Sequence, residues 1–238
     1  MTVLILGGTG EARRLAAALP GRVISSLAGR VSDPRLPPGE VRVGGFGGVD
    51  GLVEWLRAND VTAVVDATHP FAARITANAV AATAVVGVPL LVLRRPGWTE
   101  QPGDDWRWVG SLAEAAADLP GERVFLTTGR QDIGLFAHLG HYFVARSVEP
   151  PEPPLPRRIH VVLDRGPFTV DSEIALLREH AVDVVVTKDS GGGMTAAKLV
   201  AARHLGLPVV IVRRPPLPDV DTVETVEAAV SWLGTAGA

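Results

Sequence analysis

Short apolar runs recur along this chain, and almost every one ends in a small polar turn followed by an Ala- and Leu-rich segment of helical period. The first sets the pattern. Val3-Leu4-Ile5-Leu6 reads as a strand buried on both faces; Gly7-Gly8-Thr9-Gly10 breaks it, and Glu11-Ala12-Arg13-Arg14-Leu15-Ala16 begins a helix. The same alternation predicts strands over residues 22–27, 40–43, 61–66 and 89–93. It predicts a helix around Leu52, Val53, Trp55 and Leu56, and a longer one over 71–86 that stops at Gly87. Residues 96–110 lose the periodicity. Trp98, Trp106 and Trp108 stand there among Gly, Asp and Pro, which reads as a connector packed between lobes and puts a domain boundary near 95–110.

The pattern then resumes, with strands expected over 123–127, 142–147, 160–168 and 182–188 and helices over 112–119, 172–180 and 223–233. The five prolines between Glu149 and Pro156 make an extended loop. Residues 89–96 and 208–215 mirror each other: each reads Pro, four apolar residues, Arg-Arg-Pro. Strands alternating with helices in two similar halves predict an α/β chain of two Rossmann-like lobes with mainly parallel sheets and a cleft between them. The expected division is 1–100 and 101–238, with the final helix able to pack across the lobes.

Composition narrows the field. The 238 residues carry a net charge of −3 and no cysteine, so disulfides, thiolate metal sites and cysteine nucleophiles are absent and no basic field attracts nucleic acid. The N-terminus runs straight into a strand without a leader, and no segment nears the ~18 consecutive apolar residues that read as a membrane span. A cytoplasmic protein without membrane or nucleic-acid partners is the expectation. The oligomeric state stays open, a monomer being compatible with the sequence. Six scattered histidines show no ligand spacing, so no metal is expected.

The turns carry the chemistry. A strand that hands the chain to a helix N-terminus through glycines makes an anion site, because free N–H groups and the positive end of the helix dipole meet there. Gly7, Gly8, Thr9, Gly10 and Glu11 form that turn, although Arg13 stands where a dinucleotide fingerprint has its third glycine. At the end of the next strand an NAD site wants an acid for the ribose; Ser25 and Ser26 stand there instead, with Arg30 shortly after, which favours the 2′-phosphate of NADPH. Gly44-Gly45-Phe46-Gly47-Gly48 presses backbone against a flat ligand or makes a tight crossover. Asp66, Thr68 and His69 close the strand at 61–66, where Asp66 and His69 can do acid–base work or Asp66 and Thr68 can cap the helix that follows.

The second half ends its strands in cations: Arg130, Arg146, Arg165, Lys188 and Lys198, with Ser190, Gly191 and Gly192 in a second phosphate-like corner. A polyanionic ligand accounts for that set. Tyr142 is the only tyrosine and has Arg146 four residues on, so the Tyr-x-x-x-Lys pair of short-chain dehydrogenases is missing. Residue reasoning stops at an NADPH-dependent enzyme acting on an anionic metabolite, or an NADP-binding redox sensor that lacks chemistry.

Six motifs occur in order: Gly7-Gly8-Thr9-x-Glu11, Ser25 to Arg30, Gly44 to Gly48, Asp66 to Ala72, Thr127-Thr128-Gly129-Arg130, and Thr187-Lys188-x-Ser190-Gly191-Gly192. Together they resemble the precorrin-6A reductases of the cobalamin pathway, from residue 2 to about 233. The chain departs from that pattern at Ala12-Arg13, where many members have a glycine after the glutamate. The resemblance implies NADPH-dependent reduction of one double bond of precorrin-6A, an anionic tetrapyrrole, to precorrin-6B. It adds a role to residues read above. Gly7, Gly8, Thr9, Gly10, Glu11, Ser25, Ser26, Arg30, Gly45, Phe46 and Thr68 would hold the cofactor. Arg130, Arg146, Arg165, Lys188, Ser190, Gly191, Gly192 and Lys198 would hold the substrate carboxylates. The proton would come from His69, oriented by Asp66 and chosen for its titration near neutrality and its place at a strand end, or else from solvent or an acidic group of the substrate. If Arg30 reads the 2′-phosphate, Arg30→Ala weakens NADPH far more than NADH in a titration of both; equal losses would remove that role.

Overall fold

In the computed structural model, residues 1–29 and 36–236 are described. In chain order the elements are β1 (Thr2–Leu6), α1 (Gly10–Ala18), β2 (Arg22–Leu27), β3 (Glu40–Val43), α2 (Val49–Ala58), β4 (Ala63–Asp66), α3 (Ala73–Val86) and β5 (Leu90–Leu93). They continue as β6 (Trp106–Val109), α4 (Leu112–Ala117), β7 (Arg123–Thr127), β8 (Tyr142–Ser147), β9 (Ile159–Leu163), α5 (Val170–Glu179), β10 (Val184–Lys188), α6 (Ala197–Leu205) and β11 (Val209–Val212), and end with β12 (Asp221–Val223) and α7 (Val226–Ala236). Short 3₁₀ turns cover Arg130–Phe136 and Gly193–Thr195.

The chain forms two compact units, Met1–Pro96 with Pro215–Ala238, and Gly97–Arg214. Each holds a six-stranded sheet, in the orders β12-β5-β4-β1-β2-β3 and β6-β11-β10-β7-β8-β9. All neighbouring strands run parallel. The two orders are one topology: β7, β8, β9, β10 and β11 take the places of β1, β2, β3, β4 and β5. The mirrored Pro–apolar–Arg-Arg-Pro segments are therefore β5 and β11, equivalent strands.

β1 shows why the runs are continuously apolar. In a parallel sheet covered on both faces, alternate side chains enter opposite cores. Val3 and Ile5 join the core with Leu15 of α1 and Ala229 and Leu233 of α7, while Leu4 and Leu6 join the other with Leu52 and Leu56 of α2 and Ala79 and Ala82 of α3. Phe125, Val144, Val185 and Ile211 do the same for one face of the second sheet, beneath Leu177 and Leu199.

Two expectations need correcting. Residues 215–238 belong to the first unit, not to a second domain running 101–238. β12 pairs with β5 from Asp221↔Leu91 to Val223↔Leu93, and α7 packs against α1 within the first unit. A three-residue strand is too short to give a period, so only the helix was legible. The supposed connector contains β6, whose Trp106 and Trp108 lie on the second sheet's core as an edge strand beside β11. Its Trp-Arg-Trp-Val alternation is hidden by the Gly, Asp and Pro before it. Among the described residues no helix is long and apolar enough to cross a membrane.

Leu233 is buried in the α1–α7 core. Leu233→Ala should destabilise the first unit by about 2–5 kcal/mol in urea unfolding; a change under about 0.5 kcal/mol, the range of surface substitutions, would show that α7 is not seated there.

Candidate functional site

In the first unit the polar turns gather along the C-terminal edge of the sheet. β1 hands off its last hydrogen bonds to both neighbours: Ala67 N–H donates to Leu6 O, and Gly7 N–H donates to Ser26 O, each at 2.9 Å. The chain then leaves through Gly8, whose φ of 110° suits glycine alone, into α1. Thr9 caps that helix. Its hydroxyl accepts from Ala12 N at 3.1 Å and donates to Ala67 O at 2.7 Å, tying the turn to the end of β4. Thr9 is buried with both bonds made, so its hydroxyl is structural. The anion-binding capacity of this corner rests on the backbone N–H groups of the α1 N-terminus.

Glu11 lies in the first turn of α1 and is bound by Arg95 at 2.8 Å and Arg14 at 3.2 Å. Burial alone would raise its pKa, but a backbone hydrogen bond and the charges of Arg95 and Arg14 outweigh it and hold the carboxyl below 4.5. Arg95, just past β5, is thereby brought to the mouth of the β1–α1 turn. The Arg-Arg-Pro ending was visible in the sequence, but not its target.

At the other side of this edge, Ser26 and Arg42 are register partners on β2 and β3. Arg42 Nη1 donates to Ser26 Oγ and Gly44 O, both at 2.9 Å, and Nη2 donates to Gly45 O at 3.1 Å. Its guanidinium stacks on Phe46, 3.8 Å from the ring centroid, and Phe46 meets Trp55 edge-on. Arg42 thus pins the glycine loop onto α2, and a Cβ on Gly51 would collide with Phe46 O. Sequence reasoning missed Arg42; the signal was a cation at the C-terminal end of a short strand, directly before the glycines. Ser25 is buried with no partner for its hydroxyl among the described residues. Arg30 lies outside the described residues.

The end of β4 corrects the expected catalytic pair. Asp66 is 2% exposed, and its carboxylate accepts from Thr68 N (3.0 Å), Thr68 Oγ1 (2.7 Å) and Thr76 Oγ1 (2.6 Å). Those bonds occupy the Asp66 carboxylate in fixing the turn after β4, which makes Asp66 a positioning residue, and Thr68 supplies two of them. His69 is exposed, and its Nδ1 accepts from Phe71 N at 3.3 Å. Beside it a cavity of about 360 Å³ opens between Pro70, the first turns of α3, Arg94 and residues 215–218.

The second unit has its own polar edge. Arg130 pairs with Glu149 at 2.9 Å and Lys188 with Asp132 of the 3₁₀ turn. Ser190 N–H turns back onto Lys188 O. Buried Asp189 accepts from Trp98 N at 3.0 Å and from Arg214 Nε at 3.0 Å, and Trp98 Nε1 donates to Gly192 O at 2.9 Å, so the loop at 190–193 is held from beneath. Two expected substrate cations are not on this edge. Arg146 is buried in a two-bond pair with Glu173 and stacks on Phe168 at 3.6 Å. Lys198 is 3% exposed, donates to Thr195 O at 2.6 Å and lies over the Trp98 ring. Burial, reinforced by the charge of Arg146 and only partly offset by Glu173, lowers its pKa to about 7. Arg165 is exposed beyond β9, the sheet's far edge strand.

Comparison with known proteins gives a consistent picture. A family model described as precorrin-6x reductase CbiJ/CobK matches residues 2–234. The precorrin-6A reductase of Rhodococcus erythropolis is 57% identical over 241 residues, covering 98% of this chain and 97% of that one. That of Mycobacterium tuberculosis (strain ATCC 25618 / H37Rv) is 51% identical over 237 residues, covering 97% and 96%. A solved structure titled CobK precorrin-6A reductase superposes with a TM-score of 0.94 at 47% identity, covering 100% of this chain and 98% of that one.

The Glu11 pairing carries a pH signature. Its folded-state pKa lies below its ordinary value of 4.5, so the pairing stabilises the fold above that value and is lost as pH falls through the lowered one. Glu11→Gln should therefore be less stable than the parent near neutrality, with the gap closing well below pH 4.5; a gap independent of pH would contradict the assignment.

Proposed function

The chain belongs to the precorrin-6x reductase CbiJ/CobK family, and on that premise we propose that it reduces one double bond of precorrin-6A with NADPH, yielding precorrin-6B in cobalamin biosynthesis in the cytoplasm. The observation that carries the choice of nucleotide is the end of β2. Ser26 and Arg42 offer a hydroxyl and a cation there, among described residues that place no carboxylate in β2 and none in β3 beyond its first residue, Glu40. A carboxylate at that position would hold a ribose diol and repel a 2′-phosphate.

The residues present fit a dinucleotide. The N–H groups of α1 face the turn in which its pyrophosphate would lie, and Arg95 offsets the negative charge of Glu11 beside it. In a sheet of this order the adenosine half belongs over β2 and the nicotinamide half toward β4 and β5, where the cavity beside Pro70 and Arg94 opens. When bound, NADPH supplies the hydride.

The chain's own part is to hold both reactants and deliver a proton to the second carbon of the double bond. His69 is the proton donor: the Asp66–Thr68–Thr76 bonds fix its turn, and uptake of a proton at Nδ1 in place of the Phe71 N–H bond gives the imidazolium, whose Nε2–H is then transferred to leave a neutral ring. Arg130 and Lys188 receive substrate carboxylates by exchanging them for Glu149 and Asp132.

The test is anaerobic mixing of the protein with precorrin-6A and NADPH, following NADPH absorbance and the macrocycle spectrum. Stoichiometric NADPH loss with a chromophore shift is expected; NADPH that binds and is never consumed would overturn the reading in favour of a sensor. His69→Ala should lower kcat roughly 10²–10⁴-fold without lowering the melting temperature, and unchanged turnover would exclude it as the acid.

A further inference from the structure

The two units repeat one topology, so their central crevices can be compared position by position. In each sheet the chain leaves the central strand in opposite directions on either side: between β4 and β1 in the first, between β10 and β7 in the second. Strand ends part at such a point, and ligands of open α/β sheets lie in the crevice so formed. In the first unit a threonine closes the gap, with Thr9 Oγ1 donating across it to Ala67 O at 2.7 Å.

In the second unit the position equivalent to Thr9 is Arg130, and the threonine of this edge, Thr128, stands two places earlier. Thr128 follows β7 directly, one residue beyond the last paired position, Thr127↔Thr187, and so lies alongside the Lys188 end of β10. It is 5% exposed, and its hydroxyl has no hydrogen-bond partner among the described residues. A buried hydroxyl without a partner is costly and rare. A purely structural position would be filled as well by valine, which has the same shape. The residue after it, Gly129, has φ 94° and open space where a Cβ would stand, so no side chain fills the turn beside Thr128. The surroundings are cationic but occupied: Lys188 by Asp132 and Arg130 by Glu149.

We propose that the Thr128 hydroxyl is a substrate-binding group, donating to a carboxylate of the bound macrocycle as that carboxylate takes the place of Asp132 beside Lys188. The proposal rests on the reductase reading given above and adds a residue and a point of attachment to it. It gives the buried hydroxyl its partner only in the complex. Affinity for the substrate is then obtained at the expense of stability in the free protein.

The experiment compares Thr128→Val and Thr128→Ser with the parent in the anaerobic NADPH assay and in thermal unfolding. Thr128→Val should raise KM for precorrin-6A about tenfold or more, the loss of one hydrogen bond to a charged group, with the KM for NADPH unchanged. Its melting temperature should equal or exceed the parent's. Thr128→Ser should restore the parent KM. A structural role would instead lower the melting temperature of Thr128→Val and leave KM alone, which would overturn the proposal. If the valine variant does not fold, Thr128→Ala removes the hydroxyl without adding a buried methyl and is read against the same KM. A parent protein that never consumes NADPH would overturn the reductase reading itself, and that outcome is seen before any variant is made.

Discussion

A parallel strand cannot be followed by its neighbour through a tight turn, and everything functional in this molecule depends on that constraint. Each strand must be returned across a face of the sheet, almost always by a helix, so all C-terminal ends of a sheet lie along one edge. Turns far apart in sequence are thereby collected into one line. Glu11 and Arg95 are 84 positions apart and form an ion pair; Thr9 and Ala67 are 58 apart and share a hydrogen bond. The apolar runs that force strands to be covered on both faces are thus also what assembles the polar edge.

The two edges treat charge differently. In the first unit helix N-terminal N–H groups supply the positive potential and the side-chain cations knit backbone together, Arg42 through carbonyls and Arg95 through Glu11. In the second, the cations are matched by the protein's own carboxylates. Glu173 neutralises Arg146 in a buried pair, a bond whose disruption would strand a charge away from water. The Arg130–Glu149 and Lys188–Asp132 pairs are only partly buried. On the proposed function these half-buried pairs would exchange partners rather than gain one, which makes recognition of a polyanion selective for geometry more than for charge alone.

Much of this was legible in the chain because a strand buried on both faces and a glycine turn leave strong local signals. The strand order is foreshadowed by the repeat of residues 89–96 at 208–215, which turns out to mark equivalent strands. What the sequence concealed is whatever depends on a distant partner. Asp66 and His69 look like an acid–base pair at a spacing of three, yet Thr76, ten residues on, completes the set that takes up the carboxylate. Arg146 and Lys198 sit at strand and helix ends like surface cations, but Glu173, Phe168 and Trp98 enclose them. Arg42 drew no notice because nothing local says that its guanidinium meets Ser26. β6 and β12 are edge strands of four and three residues, too short for periodicity to declare them.

The return of residues 215–238 to the first sheet has a consequence for how the protein is made. The second unit is an uninterrupted segment, whereas the first takes an edge strand and one covering helix from residues 215–238, made after the whole of the second. Until then the flank of β5 and the apolar side of α1 have no cover. The first unit to begin is therefore the last to be completed, in contrast to the N-terminal-first order usual in multidomain synthesis. A chain stopped short by even the final helix would hold a closed second unit and an open first.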